Sequence, residues 1–369
     1  MEANNVVIEA SAPGKMKNVI VDADILKKLA KLFKPGKELH NLTFTAEDGH
    51  ASASMFDGIK YIKAAFDAKV ETQGQVIFPS KYLSLFPIFE KEVSFTLQKK
   101  ISVKDGVRSF EIPLMTGIEP VGMPDLPSMG SITVSLADIK RLIKKVMFAT
   151  GTEDDYDFDC IKLVFGDQIE AVGCDRRTLA VAHMPQGSPY RGDFLFPKEG
   201  LDVISRLDGD MATLTVYPTG MGISVGGELM VDIFLPQHAG KFPTYGELFE
   251  FEPKTTMTCQ QADLVSVLED VRRISDEVAI SFSIHEFEKQ QPRFRSSDAE
   301  NAAAVRHIDG QWEGEDLKIK VNARTLAHCV ENLNGPITFN FSNFMAPFMI
   351  RSGEDFSAIL APYTSAENK

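Results

Sequence analysis

SLADIKRLIKKVMFAT, residues Ser135–Thr150, is the stretch on which the reading of the whole chain turns. Ile139, Leu142, Ile143, Val146 and Met147 recur at i, i+3, i+4, i+7 and i+8, the spacing of one face of an α-helix. Lys140, Arg141, Lys144 and Lys145 fall together on the opposite face. Ser135, with Asp138 in the first turn, has the chemistry of an N-cap. The pattern predicts a helix with an apolar underside and a positive top, in a chain whose net charge is −13.

The same pattern recurs. Val21–Leu29 and Gln260–Leu268 resemble the helix, and aligning Asp24, Asp138 and Asp263 gives steps of 114 and 125 residues. A second landmark, a short strand running into a helix, occurs at Gln75–Leu83, Asp193–Leu201 and Lys318–Leu326. In the first two, Pro79 and Pro197 suit the fixed φ of a first helical turn. A third closes each unit: Ser109–Ile112, Met230–Pro236 and Phe356–Pro362. Alternating segments such as Asn41–Ala46, Ala212–Tyr217 and Ile337–Phe341 read as strands between them. Three landmarks in one order, three times, predict an α+β chain of three tandem repeats. Each repeat is an antiparallel sheet with two helices on one face. The proline-rich stretch Pro120–Pro127 and the segment Phe242–Lys254 mark boundaries. The expected domains are 1–128, with 1–15 an extra N-terminal segment, then 129–253 and 254–369.

Composition narrows the function. An apolar content of 44% and a charged content of 25% are ordinary for a soluble globular protein. No run approaches a membrane span, and MEANNVVIEASAPGK lacks the pattern of a signal peptide. Cys160, Cys174, Cys259 and Cys329 form no CxxC pair, so reduced thiols and a cytoplasmic location are expected. A net charge of −13 opposes nucleic-acid binding only if the charge is evenly spread. Lys27, Lys28, Lys31 and Lys34 on the first helix repeat the basic decoration of the second; Arg272 and Arg273 on the third sit beside Glu269 and Asp270.

Chemistry is sparse. Asp155, Asp157 and Asp159 fit the first three positions of a calcium loop, but Cys160 and Gly166 stand where Gly and Glu are needed. No metal site and no cofactor are expected, and Glu153–Asp159 reads better as a solvated acidic loop. No GxxxxGK[ST], GxGxxG or HExxH motif is present, and no nucleophile–base pair follows from the spacing of the seven histidines.

The repeats, together with Ile139–Phe148, Val172–Ala180, Phe196-Pro197-Lys198 with Gly200, Gly240–Tyr245 and Leu360–Tyr363, resemble the bacterial sliding clamp, the beta subunit of DNA polymerase III. The resemblance runs from about Met16 to Ser365. It implies a non-catalytic processivity factor: a head-to-tail homodimer closing a ring of six similar domains, with sheets outside and helices facing a hole threaded by duplex DNA. It also implies a clamp loader as partner, and polymerase and repair proteins tethered through short peptides. On that reading the DNA-facing residues are Lys27, Lys28, Lys31, Lys34, Lys140, Arg141, Lys144, Lys145, Lys198 and Arg273. The peptide cleft, between the second and third domains, takes Cys174, Arg176, Arg177, Thr178, Leu179, Pro243, Leu248, Ile359, Ala361, Pro362 and Tyr363. Basic groups lining a hole would meet phosphates without reading bases, which permits sliding.

The chain departs from the family in places that mark it as divergent. Cys174-Asp175-Arg176-Arg177-Thr178-Leu179 stands where the family usually has Thr-Asp-Gly-His-Arg-Leu, Glu199 replaces a commonly basic residue, and Thr364–Lys369 extends past the usual terminus. Two other readings compete: a repeat scaffold that binds proteins without encircling DNA, and a metal-dependent enzyme built on Glu153–Asp159.

Overall fold

A computed structural model describes residues 16–34, 40–152, 156–250, 252–283 and 291–363. The expected segment 1–15, the acidic residues Glu153, Asp154 and Asp155, and the tail Thr364–Lys369 lie outside the described residues. Among the described residues there are five α-helices: α1 (Ala23–Phe33), α2 (Leu136–Met147), α3 (Lys198–Leu201), α4 (Gln261–Val271) and α5 (Ala323–Val330). None is long and apolar enough to cross a membrane. Apart from three 3-10 segments, the rest of the regular structure described is antiparallel sheet, as the sequence predicts for an α+β chain.

Helix α2 forms as the sequence predicts, with Ile139, Leu142, Ile143 and Val146 buried and Met147 half-buried. Its last turn lies so close to the strand Ile169–Cys174 that a β-carbon on Gly173 would stand 2.4 Å from the Val146 carbonyl oxygen. Glycine there lets helix and sheet meet. Helix α1 starts where Asp22 accepts a hydrogen bond from the Asp24 N–H at 2.7 Å, and α5 where Asn322 accepts from the Thr325 N–H at 3.0 Å.

The second helix of each repeat is short. In the first it is a 3-10 segment, Ser80–Ile88, that contains Pro87. Proline removes a donor and clashes with the carbonyl four residues back, so an α-helix cannot run through it. In the second it is one turn, α3, followed by the 3-10 turn Asp202–Arg206, where Gly200 and the β-branched Val203 and Ile204 disfavour extension. Only α5 gives two full turns.

The chain divides into two compact units. One holds the chain up to Leu136 together with Asp202–Pro236; the other holds Ala137–Leu201 together with the chain from Gln237 onward. Each is built on a large sheet that joins strands from neighbouring repeats. In the first, eight strands run in the order Gly130–Ser135, Met211–Tyr217, Gly220–Val225, Met230–Pro236, Tyr61–Asp67, His50–Phe56, Asn41–Glu47, Gly74–Pro79. The join is the antiparallel pair Met230–Pro236 with Tyr61–Asp67, Ile233 opposite Ile62. In the second unit nine strands run Gly192–Pro197, Cys160–Phe165, Ile169–Cys174, Thr178–Met184, Phe356–Leu360, Phe348–Ser352, Pro336–Phe341, Thr255–Gln260, Gly310–Gly314. There the join sets Leu179 opposite Ile359.

A smaller sheet completes each unit. Five strands (Lys69–Thr72, Lys17–Val21, Val93–Leu97, Ile101–Lys104, Ser109–Ile112) belong to the first, and four (Ala303–His307, Arg293–Ser297, Glu277–Phe282, Leu317–Asn322) to the second. Phenylalanines fill the cores. Phe44 stacks on Phe95 at 5.0 Å in the first unit, and Phe341 lies 5.3 Å from both Phe282 and Phe348 in the second. Buried aromatics of this size each remove about 150–250 Å² from water and dominate core energetics.

Candidate partner cleft and basic helix faces

Three of the cleft residues named from the sequence meet at the join in the second unit. Cys174, Leu179 and Ile359 share one buried cluster with Phe158, Val172, Val181 and Met349. The reason is register: Cys174 pairs with Leu179 across one hairpin, and Leu179 with Ile359 across the join. Thr178 is buried opposite Leu360. The tight turn 175–177 is pinned by Asp175, whose Oδ1 accepts the N–H groups of Arg177 at 2.7 Å and Thr178 at 2.6 Å. Arg176 and Arg177 stand exposed on it, and the Arg177 carbonyl accepts the Ala361 N–H at 2.8 Å. Pro362 and Tyr363 follow, half-exposed, with the Tyr363 N–H donating to the Lys320 carbonyl at 2.8 Å.

The segment after Pro236 lies against this cluster. Phe242, Tyr245 and Phe249 pack on the cluster, Pro243 is half-exposed, and Leu248 is left 52% exposed on the 3-10 turn Gly246–Phe249. The Tyr245 hydroxyl donates to Glu170 at 2.5 Å. Burial, reinforced by this bond to a carboxylate, pushes the phenol well above its ordinary range. The Cys174 thiol is pushed up to about 12, first by burial and then by the Asp175 charge, so it is an inert apolar neighbour.

Reading from the sequence missed Phe158, Val181, Phe249 and Met349, and named Val172, Phe242 and Tyr245 only as motif residues. Val181 and Met349 sit in strands that are buried almost throughout, so no alternation marks which of their residues meet the cluster. Exposed Phe344 and Met345 were missed too. They lie just before the strand that pairs Phe348 with Leu360, at the end of the sheet that carries Pro362 and Tyr363.

The basic faces differ from expectation in their partners. Lys27 holds Asp24 at 2.7 Å, Lys28 holds Glu228, and Lys31 lies 3.6 Å from Asp208. Lys34 ends α1 at a φ of 36° and is exposed. On α2, Arg141 holds Asp138 at 2.6 Å, Lys140 is half-exposed and Lys144 exposed. Lys145 is a correction: it is only 7% exposed, its ammonium sits 2.6 Å from Asp355, and it lies 6.0 Å from the Phe356 ring. The apolar stripe is wider than the sequence suggested, and it takes Lys145 into its margin as an amphipathic stem. Lys198 donates to the Gly151 carbonyl at 3.2 Å, and Arg273 is 3.9 Å from Asp270, which also holds Arg306.

No donor set for metal chemistry assembles among the described residues. Asp157 is committed to His238 at 2.7 Å and to the Lys241 N–H at 2.6 Å. Gly222–Gly226 fits the GxSxG pattern, yet Gly222–Val225 belong to a strand that runs into another strand rather than to a strand-to-helix elbow, and the Ser224 hydroxyl donates to Asp232 at 2.6 Å.

No family model matches the chain. Among curated proteins it is 22% identical over 336 residues to a beta sliding clamp of Streptomyces coelicolor, covering 86% of this chain and 87% of that one. It is 24% identical over 339 residues to a beta sliding clamp of Caulobacter vibrioides, covering 85% and 88%. Among solved structures, a C. crescentus beta sliding clamp with PEG bound at a proposed beta-motif tethering region superposes with a TM-score of 0.84 at 21% identity, over 95% of this chain and 100% of that one. The DNA polymerase III subunit beta of Pseudomonas aeruginosa gives 0.82 at 16% identity over 94% and 100%, and that of Thermotoga maritima 0.82 at 18% over 95% and 100%. The chain has the sliding-clamp fold and is similar across that length to proteins named beta sliding clamp.

Proposed function

We propose that the protein is a DNA sliding clamp. Two copies close head to tail into a ring around duplex DNA, and the cleft at the nine-stranded sheet holds peptides of replicative polymerase and repair proteins. The observation that carries this reading is the likeness to sliding clamps over 94–95% of the chain, and Cys174, Leu179 and Ile359 of the expected cleft share one buried cluster. The three repeats, 1–128, 129–253 and 254–369, are the domains of each half-ring. A clamp loader opens the ring, the chain itself performs no catalysis, and its site of action is the cytoplasm.

The sheet edges support ring closure. In the five-stranded sheet, Lys69–Thr72 packs near the strands Asn41–Glu47 and His50–Phe56, which leaves Ser109–Ile112 as the open edge. In the four-stranded sheet, Leu317–Asn322 receives the Tyr363 N–H, which leaves Ala303–His307 open. Unpaired strand edges invite pairing with another chain. Ser109–Ile112 of one copy against Ala303–His307 of the next would close the ring. The acid-paired lysines fit a clamp held by topology: each phosphate contact must compete with an internal carboxylate, which favours weak, mobile contact.

The test is retention on nicked circular DNA followed by linearisation. A clamp stays on the circle and is lost from the linear form; equal retention on both would indicate simple electrostatic binding. In solution the particle should weigh twice the 40.8 kDa chain, and a strict monomer at micromolar concentration would count against the ring.

A further inference from the structure

One carboxylate in the second unit ties together two stretches 84 residues apart. Asp157 immediately precedes Phe158, and Lys241 immediately precedes Phe242, both of which belong to the apolar cleft surface. The Asp157 N–H donates to the Lys241 carbonyl at 3.1 Å, and the Lys241 N–H donates back to Asp157 Oδ2 at 2.6 Å. The other oxygen, Oδ1, takes His238 Nε2 at 2.7 Å; an ionised carboxylate only accepts, so this nitrogen carries the proton. The His238 backbone N–H is anchored in turn on the Leu195 carbonyl at 2.8 Å.

The approach is tight. A β-carbon on Gly240 would stand 2.2 Å from Asp157 Oδ2. Only glycine lets the backbone pass the carboxylate at that distance. The Asp157 side chain is 15% exposed, so its bonds are made largely out of water. Further along, Tyr245 is held by Glu170 at 2.5 Å, with the Lys162 ammonium 6.0 Å from its ring.

We infer that Asp157, His238 and Gly240 form a clasp that positions the Phe242–Phe249 wall of the cleft and thereby sets how tightly a partner peptide is held. This rests on the cleft being the partner site, as proposed above. The clasp residues are positioning residues: they fix the aromatic wall before a peptide arrives, so binding does not have to order it. A loose wall would still fold but would bind weakly.

The test uses the full chain and a fluorescein-labelled short peptide with two large apolar residues at its C-terminus, the chemistry an apolar cluster would take, read by fluorescence anisotropy. Asp157→Ala and His238→Ala should each weaken binding about tenfold, as expected for loss of a charge-assisted hydrogen bond. Amide hydrogen exchange over 242–250 should quicken in both. His238→Gln, whose side-chain N–H can still donate to Asp157, should stay within about threefold of the parent. All three should stay on nicked circular DNA as the parent does, because ring closure does not use the clasp. Unchanged peptide affinity and unchanged exchange in the two alanine variants would overturn the clasp and leave the cleft reading standing. The clasp is overturned equally if His238→Gln is as weak as His238→Ala. If the parent chain stays on circular DNA yet fails to bind the peptide, the cleft reading falls and the clasp with it.

Discussion

The cleft and the basic helix faces were both read from the sequence, and they were built by different rules. In the cleft, one hairpin and a distant strand converge because strand register carries them there: Cys174 opposite Leu179, Leu179 opposite Ile359. On the helices, Lys27, Lys28, Lys31 and Arg141 sit on helix positions that pattern predicts, but each is held by a carboxylate. Burial is a collective constraint on many residues at once. A surface charge answers only to its nearest opposite charge, and such exposed pairs are worth about 0–1 kcal/mol.

The largest effects should therefore fall on the cleft side. Leu179→Ala should lower unfolding free energy by about 2–5 kcal/mol, the range for emptying a buried leucine site. Lys27→Ala should change it by less than about 0.5 kcal/mol. Urea denaturation of both variants decides; losses of similar size would break the comparison. Gly173→Ala belongs with the large effects. Its new methyl would press on the Val146 carbonyl, at a cost of about 1–3 kcal/mol in the same assay.

What was legible follows the same division. The 3.6-residue pattern of Ile139, Leu142, Ile143 and Val146 located α2 and its buried face, and alternation located strands such as Asn41–Glu47. Periodicity survives because every buried position must obey it. For the second helices the landmark of strand then proline marks a start but says nothing of length, which Pro87 and Gly200 limit. The join between repeats could not be read at all. Nothing in Thr178–Met184 names Phe356–Leu360 as its neighbour; that pairing comes from the tertiary arrangement of the repeats. Ion partners were equally hidden, because Glu228 and Asp208 lie far along the chain from Lys28 and Lys31.

Lys145 stands between the two classes and sharpens the boundary. It occupies a basic position of α2 yet is buried, and Asp355 is 45% exposed. Lys145→Ala removes a buried ammonium and its packing while leaving a carboxylate that water can still reach. The expected loss is about 1–2 kcal/mol, below that for a fully buried pair. A change no larger than that of Lys27→Ala would return Lys145 to the exposed class.

A pH scan separates buried from exposed carboxylates in another way. Burial alone would raise the Asp57 carboxyl, but hydrogen bonds from Lys60 and from the Ile59 N–H, with the Lys60 charge, outweigh it and hold it below the ordinary range. A depressed folded pKa means that the pair adds stability above the unfolded value of about 3.9, and that this is lost as pH falls through the lower folded value. Asp57→Asn should therefore be destabilised at pH 7 and approach the parent below about pH 4. A constant gap across that window would show that the loss is one of packing rather than of charge.

The smallest effect tests the exposed class itself. Asp24 and Asp138 each pair with a cation that the proposed function turns toward phosphate. Replacing both by asparagine frees Lys27 and Arg141 without moving them, since each pair lies within one helical turn. Binding to a short linear duplex, which no ring can retain, should then tighten by about two- to threefold at low salt. The slope of log Kobs against log salt should steepen by about one for each additional phosphate engaged. Peptide binding in the cleft should not change. If affinity and salt slope both stay fixed, Lys27 and Arg141 do not face DNA, and the acid pairs on the helices are local stabilisers rather than competitors of phosphate.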